Sequence, residues 1–312
     1  MDVAARTHGL DLIVGGHSHT YLALNASEPG AGGAYPTAVT NLDGHTTYVV
    51  QAKAWGEYVG YVDVEFASDG SVAKLAGEPI HMTTNIAEDA DMAASVSEWR
   101  KPFETYGDTL VGSMAAGVSN DNCLQAECEI GNIVTDAMLW SRNNRDTPTD
   151  VAFINGGGIR AGISPGPTRV KDVLLVFPFG NAVVSLDIIG KRLKQIIAGV
   201  VQKTNLVNGR PVTGFIQLAG ARIKYHSTSN STSVLGSIEI AQEGSSSGTF
   251  MPLDETKTYR VVTLDYVARG GDNIIDPPID APALLGLDVV VEDYFRQFSP
   301  ITPKLSRRII NS

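Results

Sequence analysis

The chain has 312 residues, 43% of them hydrophobic, and a formal net charge of −10 at pH 7. This length is enough for two domains, and the composition is that of an ordinary globular protein without low-complexity tracts. The negative charge argues against a nucleic-acid partner, because no basic stripe offsets repulsion from a phosphate backbone. The longest apolar runs, such as Val173–Phe177, are too short to span a bilayer, so no transmembrane segment is predicted.

The first predicted strand, residues 11–16, stops at two glycines and leads into His17 and His19. Alternate side chains of an extended segment project to the same side, so the two imidazoles are predicted to face a common point. Two divalent ions about 3.5 to 4 Å apart could each bind one ring. A surface loop with two unrelated histidines is the alternative, and the preceding strand favours metal. No Asp-x-His or Gly-Asn-His block precedes this segment, so only part of a metal site is predicted.

Two further strands, at residues 47–52 and 58–66, follow a loop rich in glycine, proline and serine, as at the end of a β-rich domain. The next segment, Glu88–Tyr106, is polar, with apolar residues three or four positions apart. This spacing predicts a helix. We interpret this helix as the connection between two domains.

The only cysteines, Cys123 and Cys128, have four residues between them. In a secreted protein they would close a short disulfide loop, whereas in the cytosol the spacing suits neither a redox pair nor a zinc site. Two Asn-x-Ser/Thr sequons, at Asn25 and Asn230, also favour a secreted or extracellular glycoprotein. No signal peptide is visible at Met1, which we interpret as a truncated or mispredicted start.

After residue 107 the pattern is mixed, and we predict an α/β domain with mixed sheets. Strands and helices alternate without a regular period, which argues against a repeat protein or a barrel. The helix at Lys191–Val201 has the clearest amphipathic pattern. The predicted strands are at residues 151–154, 182–188, 221–226, 235–241 and 259–264, and the predicted helices at 130–140, 191–201 and 289–298.

A glycine-rich segment, Asn155–Arg160, follows the strand at residues 151–154 directly. Its glycines allow a tight path on which backbone N–H groups, including those of Gly157 and Gly158, can face an anion or a polar ring. Arg160 offers a planar fork to pairs of oxygen atoms. A purely structural turn is the alternative, and the arginine at its end favours contact with a ligand.

Two aromatic residues lie beside turns further along the chain. Phe179 lies between a proline and a glycine, and Tyr266 follows the strand at residues 259–264. Most such phenylalanines are core residues. An exposed pair could instead sandwich a flat base, since stacking contributes about 1 to 3 kcal/mol per base. Asp272, in the Gly-Gly turn after Tyr266, could accept hydrogen bonds from two ribose hydroxyls. The combined pattern predicts a nucleoside pocket.

The whole chain resembles the C-terminal half of the 5′-nucleotidases, the family of ecto-5′-nucleotidases and bacterial UDP-sugar hydrolases. Five motifs occur in the family's order: Gly-Gly-His-Ser at residues 15–18, Cys-x4-Cys followed by Gly131 and Asn132, Asn-Gly-Gly-Gly-Ile-Arg at 155–160, Pro-Phe-Gly at 178–180, and the aromatic-x4-Gly-Asp turn at 266–272.

The resemblance implies three parts of an α/β (mixed α+β) fold. Residues 1–85 would be the β-rich C-terminal part of a calcineurin-like metallophosphatase domain, 86–106 a linking helix, and 107–312 the substrate-binding domain. The intact family member holds two divalent ions, zinc or similar. Its catalytic His–Asp pair is expected before Met1, so no catalytic residue is predicted within this chain.

The resemblance also implies roles for single residues: metal contacts for His17 and His19, base contact for Asn155, substrate contact for Arg160, an adenine clamp for Phe179 and Tyr266, and ribose binding for Asp272. Family members usually carry an arginine just after the first cysteine, where this chain has Leu124. We expect a weaker hold on the substrate unless Arg169 or Arg269 compensates.

These observations favour an enzyme that, as an intact protein, hydrolyses nucleoside 5′-monophosphates such as AMP with a dinuclear metal centre. This chain would supply its nucleoside-binding domain and part of the metal site, and would be inactive alone. The alternatives are a nucleotide-binding or host-interaction protein without catalysis, and a hydrolase of nucleotide sugars or cyclic nucleotides. The sequence leaves open the preferred base, the native metal and whether the chain forms a homodimer.

Overall fold

The structure is a computed structural model that describes residues 1–143, 148–227, 233–242 and 248–312. The chain divides into two compact units, Met1–Ser97 and Glu98–Ser312. The domain limits expected at residues 85 and 107 stay a prediction. Within the described ranges, no helix combines the length and the apolar character needed to cross a membrane.

The first unit is mostly β-structure around a small core. Its elements are α1 (Asp2–Ala5), β1 (Leu12–Val14), β2 (Thr37–Thr40), β3 (Thr46–Val50), β4 (Tyr58–Phe66), β5 (Val72–His81) and the beginning of α2 (Ala90–Gly107). β3 pairs with β1 in parallel and with β2 antiparallel, while β4 and β5 form an antiparallel hairpin. The core cluster consists of Leu22, Tyr35 and Val50.

The second unit interleaves helices and strands. Its elements are β6 (Leu110–Met114), α3 (Glu129–Asn143), β7 (Val151–Asn155), β8 (Gly166–Arg169), α4 (Val170–Val176), β9 (Val183–Ile189), α5 (Gly190–Gln202), β10 (Ile216–Ala219), β11 (Ala221–Ser227), β12 (Ser233–Ala241), β13 (Phe250–Pro252), β14 (Thr258–Leu264), α6 (Asp265–Ala268), α7 (Leu287–Phe298) and β15 (Ile309–Asn311). The predicted strands and helices are present, with small differences at their ends. The mixed α/β fold class is confirmed.

A four-stranded sheet in the order β10-β7-β14-β9 forms the centre of this unit. β7 and β14 are parallel, and the other two pairs are antiparallel. Every residue of β7 is buried, as expected for an uninterrupted apolar strand between covered faces. α3 packs against β7 and β10, and α5 packs against β9 and β12. Because parallel neighbours end at the same edge of a sheet, residues that follow β7 and β14 meet there.

A second sheet, β13-β12-β11-β15, ends with the last strand of the chain. α5 buries its apolar face between the two sheets through Leu193, Ile196, Ile197 and Val200. Complete burial of such a side chain contributes about 1.5 to 3 kcal/mol. The amphipathic pattern that predicted α5 therefore also identifies the face that packs.

A buried carboxylate fixes the path of the chain into β15. Glu127 is 9% exposed and precedes α3. It accepts hydrogen bonds from three backbone N–H groups and one side-chain amide, those of Ser306, Arg308, Ile309 and Asn132. The buried guanidinium of Arg308 donates in turn to Asp136 at 2.6 Å. These contacts attach the C-terminal segment to α3.

Replacing Glu127 with alanine removes the acceptor of these buried donors. Unsatisfied buried donors are costly, so we expect Glu127→Ala to lower the free energy of unfolding by about 3 kcal/mol or more. Chemical denaturation measures this change. As a matched control, Glu255→Ala removes the exposed ion pair with Lys194 and should cost about 1 kcal/mol or less. Equal losses in the two variants would contradict the anchoring role of Glu127.

Candidate functional site

Asn155 is the last residue of β7 and lies opposite Ile216 of β10. Its side chain is nearly inaccessible, at 4% exposure. The amide nitrogen donates to Asp272 Oδ2 at 2.9 Å. The amide oxygen is buried and has no hydrogen-bond partner among the residues that the structure describes. A buried acceptor without a donor is unfavourable, so this oxygen is an unused acceptor at the end of β7.

The Gly156–Gly158 segment forms a 3-10 turn directly after β7. A Cβ atom at Gly156 would lie 2.1 Å from the carbonyl oxygen of Cys123, so this position accepts glycine only. Gly157 has room, because the nearest atom to such a Cβ would be 3.8 Å away. At Gly158 the amide oxygen of Asn155 would be 3.2 Å away. The steric requirement for glycine is therefore strongest at the first position of the turn.

The loop that approaches Gly156 is closed by a disulfide bond between Cys123 and Cys128, as predicted. The fully buried amide of Gln217, on β10, holds this loop. Its nitrogen donates to the carbonyl oxygens of Cys123 and Ala126 at 2.9 and 2.7 Å, and its oxygen accepts the N–H of Cys128 at 2.9 Å. Gln217 could not be identified from the sequence, because one glutamine in a short apolar strand carries no distinctive signal.

Arg160 and Phe179 lie together. The guanidinium carbon of Arg160 is 5.8 Å from the centre of the Phe179 ring, a cation–π distance. Its Nη1 atom donates to the carbonyl oxygen of Gly157 at 3.3 Å. The Phe179 ring is 56% exposed, so the alternative that it is a core residue is wrong. An exposed ring beside a guanidinium is a surface on which a flat group can stack.

Tyr266 and Asp272 form a closed hydrogen-bonded pair. The Tyr266 hydroxyl donates to Asp272 Oδ1 at 3.0 Å and accepts the Asp272 N–H at 3.3 Å. The Thr213 hydroxyl also donates to Asp272 Oδ1, at 3.4 Å. A Cβ at Gly271 would overlap the Tyr266 ring, and one at Gly214 would overlap the Asp272 carboxylate. Both glycines are therefore required for the close approach of this pair.

The environment of Tyr266 favours its neutral form. Burial raises the pKa of the Tyr266 hydroxyl, and the negative charge of Asp272 raises it further. The hydroxyl therefore remains a donor at neutral pH. Tyr266 remains 43% exposed while its hydroxyl is engaged in these hydrogen bonds.

The predicted substrate residues fall into two hydrogen-bonded or stacked groups. Asn155, Tyr266 and Asp272 form one group, Arg160 and Phe179 form the other, and the glycine turn joins them. β7 and β14 are parallel neighbours, which explains why the residues after them meet.

Arg169 and Arg269 have other partners. Arg169 donates to the carbonyl oxygen of Asp108, and Arg269 pairs with Asp265 at 3.4 Å. The idea that one of them compensates for Leu124 is not supported by these contacts. Leu124 itself is 55% exposed and lies beside Gly157. The side of the glycine turn next to the disulfide loop is therefore apolar.

His17 and His19 follow β1, which ends at Val14. Both have left-handed backbone conformations, with φ values of 67° and 56°, so the extended geometry used to predict their common orientation is wrong. The His19 ring contacts Trp55 edge to face, with centroids 5.5 Å apart. The described part of the chain contains no cluster of three or more His, Cys, Asp or Glu side chains that could hold a metal ion. The two imidazoles suit a metal but do not complete a site.

The two sequons differ in what the structure describes. Asn25 is exposed in a loop of the first unit, and its side-chain oxygen accepts the N–H of Ser27 at 3.0 Å. Asn230 lies outside the described residues. Glycosylation at both positions stays a prediction.

Residues 107–277 match the family model described as 5′-nucleotidase, C-terminal domain. A 5′-nucleotidase-related protein of Glossina morsitans morsitans is 31% identical, over 98% of this chain and 57% of its own length. A snake venom 5′-nucleotidase of Crotalus adamanteus is 30% identical, over 99% of this chain and 55% of its own length. The chain therefore spans little more than half the length of these relatives.

A solved structure agrees with these similarities. The crystal structure of a 5′-nucleotidase precursor from Thermus thermophilus superposes with a TM-score of 0.82 at 30% identity. The superposition covers 99% of this chain and 61% of the other. The similarity thus includes both units of the chain.

The glycine turn offers a test with a matched control. Gly156→Ala places a methyl group against the Cys123 carbonyl, so we expect it to lower the free energy of unfolding by about 1 to 3 kcal/mol or more. Gly157→Ala meets only ordinary contacts and should cost about 1 kcal/mol or less. Chemical denaturation of the two variants compares them. Equal stability would show that the disulfide loop does not press on Gly156.

Proposed function

The chain belongs to the 5′-nucleotidase family, and from this we propose that the intact protein hydrolyses nucleoside 5′-monophosphates such as AMP to nucleoside and phosphate. This chain would supply the nucleoside-binding domain and part of the metal site. The observation that carries the proposal is the hydrogen-bonded group of Asn155, Asp272 and Tyr266, which the glycine turn connects to Arg160 and the exposed Phe179. The Asp272 carboxylate suits the hydroxyls of a ribose, and the aromatic rings suit a flat base.

Each group has a role in this proposal. The base stacks on the exposed rings of Phe179 and Tyr266, and the free amide oxygen of Asn155 accepts a hydrogen bond from it. The ribose hydroxyls donate to the Asp272 carboxylate, which makes charge-assisted hydrogen bonds. The Arg160 guanidinium supplies positive charge, which a protein of net charge −10 needs in order to bind an anionic substrate.

For the intact protein we include two divalent ions, zinc or similar, with His17 and His19 as ligands from this chain. Imidazole nitrogen is a common ligand for such ions. Bound ions would stabilise the charge that develops on the phosphate. The residues described here hold and orient the nucleoside, and no residue of this chain is assigned a proton-transfer role.

The disulfide supports a secreted or extracellular location as part of the same proposal. Disulfides persist in oxidising compartments and are rare in the cytosol. Glycans at Asn25 and Asn230 would be consistent with this location.

One observation favours a second candidate, a nucleotide-binding or host-interaction protein without catalysis. Leu124 is exposed beside the glycine turn, where a charged side chain would hold an anionic substrate. Such a protein would retain nucleoside affinity while losing turnover. Both candidates predict that this chain binds a nucleoside without turnover, so phosphate release by the intact protein is the measurement that separates them.

Nucleoside binding is tested by titration calorimetry with adenosine. We expect saturable binding to the chain and an approximately tenfold or larger weakening in Phe179→Ala, because stacking contributes about 1 to 3 kcal/mol per base. Phe66→Ala is the control, since it removes a ring of similar exposure on β4. Failure of the unmodified chain to bind adenosine, AMP or another nucleoside would exclude the proposed site.

Metal dependence is tested on the same protein. We expect the metal-loaded chain to bind AMP but to release little phosphate, because no described cluster of the chain completes a metal site. Treatment with a chelator should leave the adenosine dissociation constant unchanged, since none of the residues assigned to the nucleoside is assigned to a metal ion. Turnover comparable to that of a full-length 5′-nucleotidase would show that this chain contains the whole catalytic centre.

A further inference from the structure

Tyr266 presents two different surfaces. The residue is 43% exposed, while its hydroxyl contacts both the carboxylate and the backbone N–H of Asp272. A phenylalanine here would offer the same ring without these contacts. The hydroxyl therefore serves a purpose other than stacking.

Asp272 has few free acceptor positions. A carboxylate has about four, two on each oxygen. Asn155 donates to Oδ2 at 2.9 Å, Tyr266 to Oδ1 at 3.0 Å, and Thr213 to Oδ1 at 3.4 Å. These three donors from the described part of the chain therefore leave about one position open. A ligand that donates two hydroxyls must displace the most weakly held donor, which by distance is Thr213.

The backbone at Asp272 requires support. Asp272 has φ 54° and ψ 12°, a left-handed conformation that is uncommon outside glycine. The next residue, Asn273, is also left-handed, and its amide donates to the carbonyl oxygens of Arg210 and Pro211 at 3.1 and 3.0 Å. The Tyr266 hydroxyl contacts both the carboxylate and the N–H of Asp272. Thr213 also contacts both parts of this residue, since its N–H donates to the Asp272 carbonyl oxygen at 3.1 Å and its hydroxyl donates to Oδ1 at 3.4 Å. Tyr266 and Thr213 therefore hold the backbone and the side chain of Asp272 together.

We propose that the Tyr266 hydroxyl positions the Asp272 carboxylate for the 2′- and 3′-hydroxyls of a ribose, so that the ring sets affinity for the base and the hydroxyl sets preference for ribose over 2′-deoxyribose. This inference rests on the proposed nucleoside site and names its sugar selectivity. Tyr266 is a positioning residue here because it acts on the sugar through Asp272.

The test uses Tyr266→Phe and calorimetry with adenosine and 2′-deoxyadenosine. The unmodified chain should bind adenosine more tightly. In Tyr266→Phe the dissociation constant for adenosine should rise about three- to tenfold, as expected for one hydrogen bond. The constant for 2′-deoxyadenosine should rise less, so the preference for ribose shrinks. Tyr266→Ala also removes the ring and should weaken both ligands.

Tyr259→Phe is the matched control. The Tyr259 hydroxyl likewise accepts a backbone N–H of an aspartate, that of Asp254 at 2.9 Å, but this pair lies at the other end of β14. Both dissociation constants should be unchanged in this variant. Thermal unfolding of each variant checks that the fold is intact.

The outcomes separate the two proposals. An unchanged preference for ribose in Tyr266→Phe, or an equal loss of both ligands, would overturn the positioning role while leaving nucleoside binding established. If the unmodified chain binds neither ligand, the nucleoside site and the role of Tyr266 both fail. A smaller preference with retained 2′-deoxyadenosine binding supports the inference.

Discussion

The Asp272 carboxylate is the contact on which the arrangement of the site depends. It accepts hydrogen bonds from Asn155, Thr213 and Tyr266, which belong to three distant segments of the chain. Without it, the amide nitrogen of Asn155 would lose its acceptor, while the amide oxygen already has no donor among the described residues. Because buried polar groups without partners are costly, this carboxylate constrains the end of β7, the loop before β10 and the turn after α6.

Sheet topology explains why these segments meet. β7 and β14 run side by side in parallel, so Asn155 and Tyr266 leave the same edge of the sheet. The tight turns that follow are possible because Gly156, Gly214 and Gly271 have no side chain. The buried amide of Gln217 then holds the disulfide loop against Gly156. A rigid scaffold of this kind positions loop residues for binding.

Much of the fold could be predicted from sequence, because long amphipathic helices such as α5 and apolar strands such as β7 have clear periodicity. The strands β2, β5, β6, β8, β10, β13 and β15 were not predicted. Six of them have three to five residues and carry too little pattern, while the ten-residue β5 contains Gly77 and Pro79, which weaken a strand signal. The order and spacing of the sequence motifs identified the candidate substrate residues. They did not identify Thr213 or Gln217, whose hydrogen-bond partners are distant in sequence. The prediction that His17 and His19 face the same side assumed an extended backbone and was wrong. The Gly-Gly pair before them permits a change of backbone direction, which the alternation of side chains in a strand does not predict.

A crystal structure of the chain with adenosine bound is the most direct test of the proposed nucleoside site. We predict a base stacked on the rings of Phe179 and Tyr266, with at least one ribose hydroxyl within about 3.2 Å of an Asp272 carboxylate oxygen. Adenosine bound elsewhere, or bound there without contact to Asp272, would contradict it.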